Sequence, residues 1–206
     1  MEHLLPLALA WIAYFALHSL LASLGAKAWF SRHWPRITPH YRLWYNLFAA
    51  LSLLLPLALL YHARGPMLWA FEGAWAWLAN GLALLASAGF WHSLRWYDTR
   101  AFLGLAPPGA DGFSLSPYHR FVRHPWYSFG LVILWTRDMD AAMLLSASLM
   151  NLYFVLGSRW EEQKLLVELG ERYRRYREQV PGLLPNPWRY LSRSEADALA
   201  HPPESG

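Results

Sequence analysis

The sequence contains no cysteine in 206 residues. That absence excludes disulfides, thiolate nucleophiles, cysteine-ligated metals and palmitoyl anchors together, while leaving the redox compartment open. Charge is scarce as well. Only 16% of residues are charged, whereas a soluble domain of ordinary composition carries about a quarter. What replaces the missing charge is apolar and aromatic: 55% of the chain is hydrophobic and 13 residues are tryptophan. The apolar residues fall in long runs, which implies an all-α polytopic membrane protein.

The first run, residues 4 to 26, lacks the positive charge that precedes the apolar core of a signal peptide; Glu2 and His3 precede it and Lys27 follows. It is long enough to cross a bilayer and reads as a retained helix. Further spans are expected at about 43–61, with Pro56 inside, at 73–92, at 125–135, which is short, and at 141–158. The polar turn TRDMD separates the last two, with Asp140 placed to cap the fifth helix.

The cations then order these spans. Lys27, Arg32, Arg36 and Arg42 lie between spans one and two, Arg95, Arg100, Arg120 and Arg123 lie between three and four, and eight more follow span five. Only Arg64 and Arg137 occupy the alternate loops. By the bias of Lys and Arg toward the cytoplasmic side, five spans place the amino terminus outside and the carboxyl terminus inside. The polar segments 93–124 and 159 onward then face the cytoplasm.

From Arg159 to Val180 the spacing of Leu165, Leu169, Tyr173, Tyr176 and Val180 predicts an amphipathic helix, flanked by Arg172, Arg174, Arg175 and Arg177 and ended by Pro181 and Gly182. An arginine-rich helix of this kind can lie on anionic headgroups. Residues 1–190 read as one membrane-embedded domain, and residues 191–206 as a polar, frayed end. Glu161 and Glu162 follow span five directly. A carboxylate at that depth needs a cationic partner, which either Arg159 or Lys164, as a structural ion pair, or a bound cationic ligand can supply.

RHPWYSFG, residues 123 to 130, places Arg123 and His124 directly before Pro125 at the start of span four. Proline suits the first turn of a helix, and the free N–H groups there favour an anionic group. The plain alternative is a snorkelling arginine and a histidine satisfied by a carbonyl. Trp126, Tyr127, Tyr118, Tyr173 and Tyr176 add aromatic faces that attract onium cations. Carboxylates, a helix start and aromatic walls suit a zwitterionic sulfonium compound without selecting one.

PYHRFVRHPWY (Pro117–Tyr127) followed by EEQKLLVELGERYRRYREQVPGLLP (Glu161–Pro185) resembles the isoprenylcysteine carboxyl methyltransferase superfamily of membrane enzymes. The likeness covers roughly residues 97 to 187, and the order and separation of its two blocks are more specific than RHP alone. HSLLAS (His18–Ser23) and YRLWYNL (Tyr41–Leu47) are similar to the bacterial branch that includes methanethiol methyltransferases and NnrU-like proteins.

The resemblance implies a pocket for S-adenosylmethionine closed by the tail. Tyr118, Arg123, His124, Tyr127, Glu161, Glu162, Tyr173 and Tyr176 would bind the cofactor, with Glu162, Arg172 and His124 serving catalysis. A thiol acceptor would pass its proton to His124 or Glu162; a carboxylate acceptor would pair with Arg172. The implied partners are the lipid bilayer, S-adenosylmethionine from the cytoplasm, and a small or lipid-soluble acceptor, with no nucleic acid and no metal. Two departures stand out: Phe129 occupies the position where the family carries glycine, with Gly130 one residue later, and Leu169 replaces an aromatic before Gly170. Alternatives are an amine or phospholipid N-methyltransferase, a haem protein using His18 and His92, and a scaffold without activity.

Overall fold

The computed structural model describes residues 3–106 and 115–200. Its helices are α1 (Leu4–Ala22), α2 (Leu24–His33), α3 (Tyr41–His62), α4 (Gly73–Ser93), α5 (Thr99–Leu103), α6 (Pro125–Trp135), α7 (Ala141–Leu169), α8 (Glu171–Gln179) and α9 (Arg193–Ala200), with two short strands, β1 (Met67–Trp69) and β2 (Met139–Asp140). The expected helices are all present. Three segments, α1, Thr38–His62 and α7, are long and apolar enough to cross a membrane. The helix α6 is apolar but shorter, and α4 has the length but is diluted by Trp75, Trp77, Trp91 and Asn80. Leu51, Leu54 and Leu55 of α3 are more than half exposed, which suits lipid contact.

The chain falls into two compact units. The first comprises α1 to α3, β1, α5, β2 and the opening turns of α7. Ser23 ends α1 three residues before the run of apolar residues ends, because its backbone turns extended and its hydroxyl accepts from Ala26 N to start α2. The core is Leu7, Trp11 and Ala142, joined by Leu53, Leu59, Leu145 and Leu149. Inside it, the Trp11 indole donates to Ser146 Oγ at 2.9 Å, which satisfies two polar groups that lipid could not.

The opposite ends of α3 are tied differently. At its start, Tyr41 donates to Leu21 O at 2.6 Å, and Arg42 and Asn46 both donate to Phe102 O. Beyond its far end, β1 pairs antiparallel with β2, and Asp140, fully buried, binds Arg64 and Gly65 N. Asp140 Oδ1 also accepts from Met143 N at 2.7 Å, the cap expected from the sequence. Burial pushes its carboxyl pKa up, but the Met143 and Gly65 N–H groups and Arg64 outweigh burial and hold it low. A carboxyl with a depressed folded pKa stabilises above its unfolded value of about 3.9 and loses that contribution as pH falls through the folded value. Asp140→Ala is therefore expected to cost on the order of 2 kcal/mol at neutral pH, read as a lower thermal unfolding midpoint in detergent that converges with wild type in acid.

The second unit comprises α4, α6, the rest of α7, α8 and α9. The helix α7 runs unbroken past the expected end of span five, for 29 residues, or roughly 43 Å. The predicted tail helix 159–180 is thus split: its first half continues α7, and Gly170, at φ 55°, opens α8. The aromatic stripe does not lie on headgroups. Tyr173, Tyr176 and Val180 form a buried core with Leu191 and Ala196, against Leu115, Leu165, Leu166 and Leu169. Burying two tyrosines this way needs a cover, and Leu191 and α9 provide it. Residues 193–200 are accordingly helical and, with Leu191, docked rather than frayed; residues 201–206 lie outside the described residues.

Candidate active site

Pro125 opens α6, and His124 stands before it with non-helical backbone angles. The chain leaving α8 runs alongside: Arg123 N donates to Pro181 O at 2.8 Å and His124 N to Gly182 O at 3.1 Å. Ser128 Oγ adds a bond to Leu183 O at 2.6 Å. The two sequence blocks singled out above are therefore joined backbone to backbone. Pro181 cannot donate and ends the helix, so the carbonyls around it are left free to accept.

Glu162 is the centre of the cluster. Arg123 approaches Oε1 through Nε at 2.9 Å and Nη2 at 2.7 Å, and its Nη1 donates to Arg177 O and Val180 O. Arg177 lies 3.6 Å from Oε2. His124 meets Glu162 through Nε2 at 3.1 Å and Glu161 through Nδ1 at 3.4 Å. The partners of the acidic pair are thus Arg123, Arg177 and His124, and not the neighbouring Arg159 or Lys164.

With a carboxylate at each ring nitrogen, His124 is set up to donate twice, as an imidazolium. Burial lowers its pKa, but the hydrogen bonds and charges of Glu161 and Glu162 more than reverse this and raise it above the ordinary 6.5. His119 is tuned the other way. Burial, then the charge of His124, push its pKa down to about 4. Its Nδ1 accepts from Ser116 N at 3.0 Å, so the neutral ring carries its proton on Nε2, facing Tyr97 OH at 3.4 Å. Burial, aided by Glu161, raises Tyr97 to about 12. Two histidines five residues apart in sequence are thus tuned in opposite directions.

Aromatic rings wall the cluster. His124 stacks on Tyr127 at 5.5 Å, and Tyr127 stacks on Phe154 at 5.0 Å. Trp126 packs on Tyr97 and Phe90 and donates to the buried Ser93 hydroxyl at 2.8 Å. Tyr118 donates to or accepts from His92 Nδ1 at 3.1 Å and meets Phe129 edge-on. Phe129, the departure from the family pattern, is accommodated by a glycine on the facing helix: a Cβ on Gly89 would lie 2.9 Å from the Phe129 ring. Gly130 faces Phe154 in the same way, at 3.1 Å.

Of the residues expected at the site, Arg123, His124, Glu161, Glu162 and Tyr127 come together. Tyr173 interacts with Arg123 from the tail core, and Tyr176 donates to His119 O at 2.8 Å; burial raises both phenols. Tyr118 sits on the α4 side with His92. Arg172, expected to serve catalysis, donates to Leu199 O and Ala200 O, each at 2.5 Å, at the carboxyl end of α9. His18 meets Tyr45 OH at 2.8 Å, so the two histidines of the haem reading are each engaged by a tyrosine. Arg177, Phe154, Tyr97 and His119 were not anticipated. Only Arg177 carried a local signal, as one of the arginines flanking the stripe of Tyr173, Tyr176 and Val180.

The fold and this cluster define a small helical integral membrane protein with a polar site built at the start of an apolar helix. Relatives narrow the class. The chain is 31% identical over 184 residues to a methanethiol S-methyltransferase of a Pseudomonas species, covering 84% of this chain and 69% of that one. It is 32% identical over 187 residues to one from Mycobacterium tuberculosis, covering 84% and 74%, and 29% identical over 192 residues to one from Crocosphaera subtropica, covering 84% and 72%. No family model matches the chain, and no solved structure matches it significantly. The chain belongs to the family of these methanethiol S-methyltransferases, among the isoprenylcysteine carboxyl methyltransferase-like membrane proteins, and is a methyltransferase.

Proposed function

We propose that the protein transfers a methyl group from S-adenosylmethionine to a small thiol, at the cluster centred on Glu162. The observation that carries this reading is the coincidence of the two family blocks in one place: Arg123 and His124 on Glu162, with Tyr127 stacked beside them. The donor set suits a zwitterion. Glu161 and Arg177 have side chains 52% and 51% exposed beside a pair that is nearly enclosed, and so present opposite charges to a ligand carrying both an ammonium and a carboxylate. Tyr97, Tyr127 and Trp126 supply the aromatic faces. S-adenosylmethionine, when bound, supplies an electrophilic methyl group on a sulfonium.

Arg123 acts as the clamp. Its guanidinium is spent on Glu162 and two tail carbonyls, which fixes the carboxylate and holds the tail onto the start of α6. His124, held between two carboxylates, keeps its proton and orients both acids; it is an anchor rather than the base. The thiol proton passes to Glu161, the accessible carboxylate of the pair, and water is kept from the reacting atoms by the aromatic walls. The choice of a thiol rests on the relatives, which are methanethiol S-methyltransferases.

Five spans with the amino terminus outside agree with the contacts inside each unit. In the first, the loops expected outside meet through β1 and β2, while those expected inside meet at Phe102. In the second, the end of α4 and the start of α6 meet through Ser93 and Trp126, with the tail beside them. The site accordingly opens to the cytoplasm, and the acceptor arrives from the lipid. The decisive experiment supplies labelled S-adenosylmethionine to purified protein with methanethiol, a prenylated cysteine carboxylate and an aminoethyl phospholipid in parallel. Methylation of the thiol alone is the expected result. Transfer only to the amine or carboxylate would replace the acceptor, and no saturable binding of S-adenosylmethionine by calorimetry would overturn the reading altogether.

A further inference from the structure

The segment between α8 and α9 leaves apolar surface exposed for which methyl transfer has no use. Leu184 is 71% exposed, Trp188 86% and Tyr190 54%. Charge is missing there as well. Residues 179–188, QVPGLLPNPW, carry none, although α8 directly before them is dense in arginine and glutamate.

Both ends of this segment are strapped to the stretch that leads into α6. At one end His124 N donates to Gly182 O at 3.1 Å and Ser128 Oγ to Leu183 O at 2.6 Å. At the other, Leu191 N donates to Arg120 O at 3.0 Å and Arg120 Nε to Leu191 O at 2.9 Å. Tyr190 stacks on Phe121 at 6.0 Å, itself 46% exposed. Between the straps, Asn186 folds the chain into a turn. Its side chain accepts from Trp188 N at 2.9 Å, and its carbonyl accepts from Arg189 N at 3.0 Å. Arg189 turns its guanidinium back to Glu178 O, while the Trp188 side chain stays exposed.

Depth and backbone chemistry both select lipid as the cover. Ser128 lies at the end of the first turn of α6, an apolar helix, so its bond to Leu183 sets the start of the segment at the depth where α6 begins. The backbone also costs little to dehydrate. Pro181, Pro185 and Pro187 have no N–H, and Trp188 N and Arg189 N are satisfied inside the turn.

We infer that residues 183–190 dip into the bilayer interface, with Leu184 and Trp188 reaching the upper acyl chains, and so hold the carboxyl-terminal tail on the membrane. Tryptophan and tyrosine suit that boundary, and the stem of Arg189 spans it with the charge kept on the protein side. The inference rests on α6 entering the bilayer at Pro125 and not on the methyltransferase reading.

Because the chain has no cysteine, a nitroxide can be placed at one site at a time on the full chain in phosphatidylcholine–phosphatidylglycerol nanodiscs. Labels on Leu184→Cys and Trp188→Cys are read by collision with oxygen, which concentrates among acyl chains, and with a nickel chelate, which stays in water. Leu54→Cys, at an exposed position of α3, is the lipid reference, and Arg175→Cys, at an exposed position of α8, is the water reference. Both loop labels are expected to favour oxygen, as Leu54→Cys does, at about 5–10 Å into the boundary of headgroups and acyl chains. The Arg175→Cys label is expected to favour nickel. Leu184 and Trp188 are both exposed, so neither replacement touches a core, and the two sites report independently. Nickel access equal to that at Arg175→Cys would place the segment in water. Shielding from both probes would mean that protein, such as a second copy of the chain, covers it. Either result overturns the inference.

Discussion

Replacing Glu162 with glutamine is expected to lower methyl transfer on the order of 100-fold and to destabilise the protein by about 3 kcal/mol. The carboxylate meets Arg123, Arg177 and His124 at once, and its side chain and that of Arg123 are each close to 90% enclosed. Removing one partner of a buried pair leaves the other charge uncompensated, which costs more than the pair itself contributes. The loss in rate follows from geometry: with Glu162 neutral, Arg123 no longer ties the tail to the start of α6, and displacements of about 1 Å are enough for losses of that order. The measurements are the thermal unfolding midpoint in detergent and the labelled-methyl assay.

The same substitution carries a pH signature. The folded pKa of His124 is raised, so its contribution to stability is complete below about pH 6.5 and is lost as pH rises through the folded value. Glu162→Gln removes one of the two carboxylates responsible. The difference in stability between wild type and variant is therefore largest in mildly acidic buffer and narrows in alkaline buffer. A difference that stays constant with pH would show that His124 is neutral in the fold, and would return it to the role of base.

Gly104→Ala is expected to be the most damaging substitution in the first unit, at about 3 kcal/mol or more. The left-handed backbone at φ 80° alone disfavours a side chain by about 1–2 kcal/mol. The new Cβ would also meet backbone atoms, Leu43 N at 2.4 Å and Arg42 C at 2.9 Å, and backbone within a helix cannot swing aside as the end of a side chain can. The result is undocking of α5 from α3, read as rapid proteolysis within residues 98–106 in an otherwise helical protein. Gly65→Ala, with open space at its Cβ and no positive φ, is the matched control and is expected to be neutral.

Residue type and spacing carried far in this chain because the informative signals were local. The bounds of α3, α4 and α6 followed from apolar runs ended by polar residues, and the Asp140 cap followed from an acid directly before a helix. The clustering of RHP and EE blocks was legible as a pattern. The pairing within that pattern was not. Arg159 and Lys164 were the obvious partners for Glu162 by proximity along the chain, yet Arg123, 39 residues earlier, takes it. Helix α7 continues unbroken through Glu162, which meets Arg123 and His124 at the start of α6. Phe129 looked like a break with the family because the glycine that receives it, Gly89, lies 40 residues away on another helix.

The tail shows the same division. An amphipathic stripe is the same whether it meets lipid or protein, because periodicity states only that one face avoids water. The sequence alone therefore determined that Tyr173, Tyr176 and Val180 share a face, that the chain is helical and rich in lipid-compatible surface, and which two blocks carry the family pattern. What covers that face, Leu191 and α9, and which cation neutralises which carboxylate were decided by the tertiary structure alone. Those contacts depend on which distant segments meet in space, and spacing along the chain does not contain that distance.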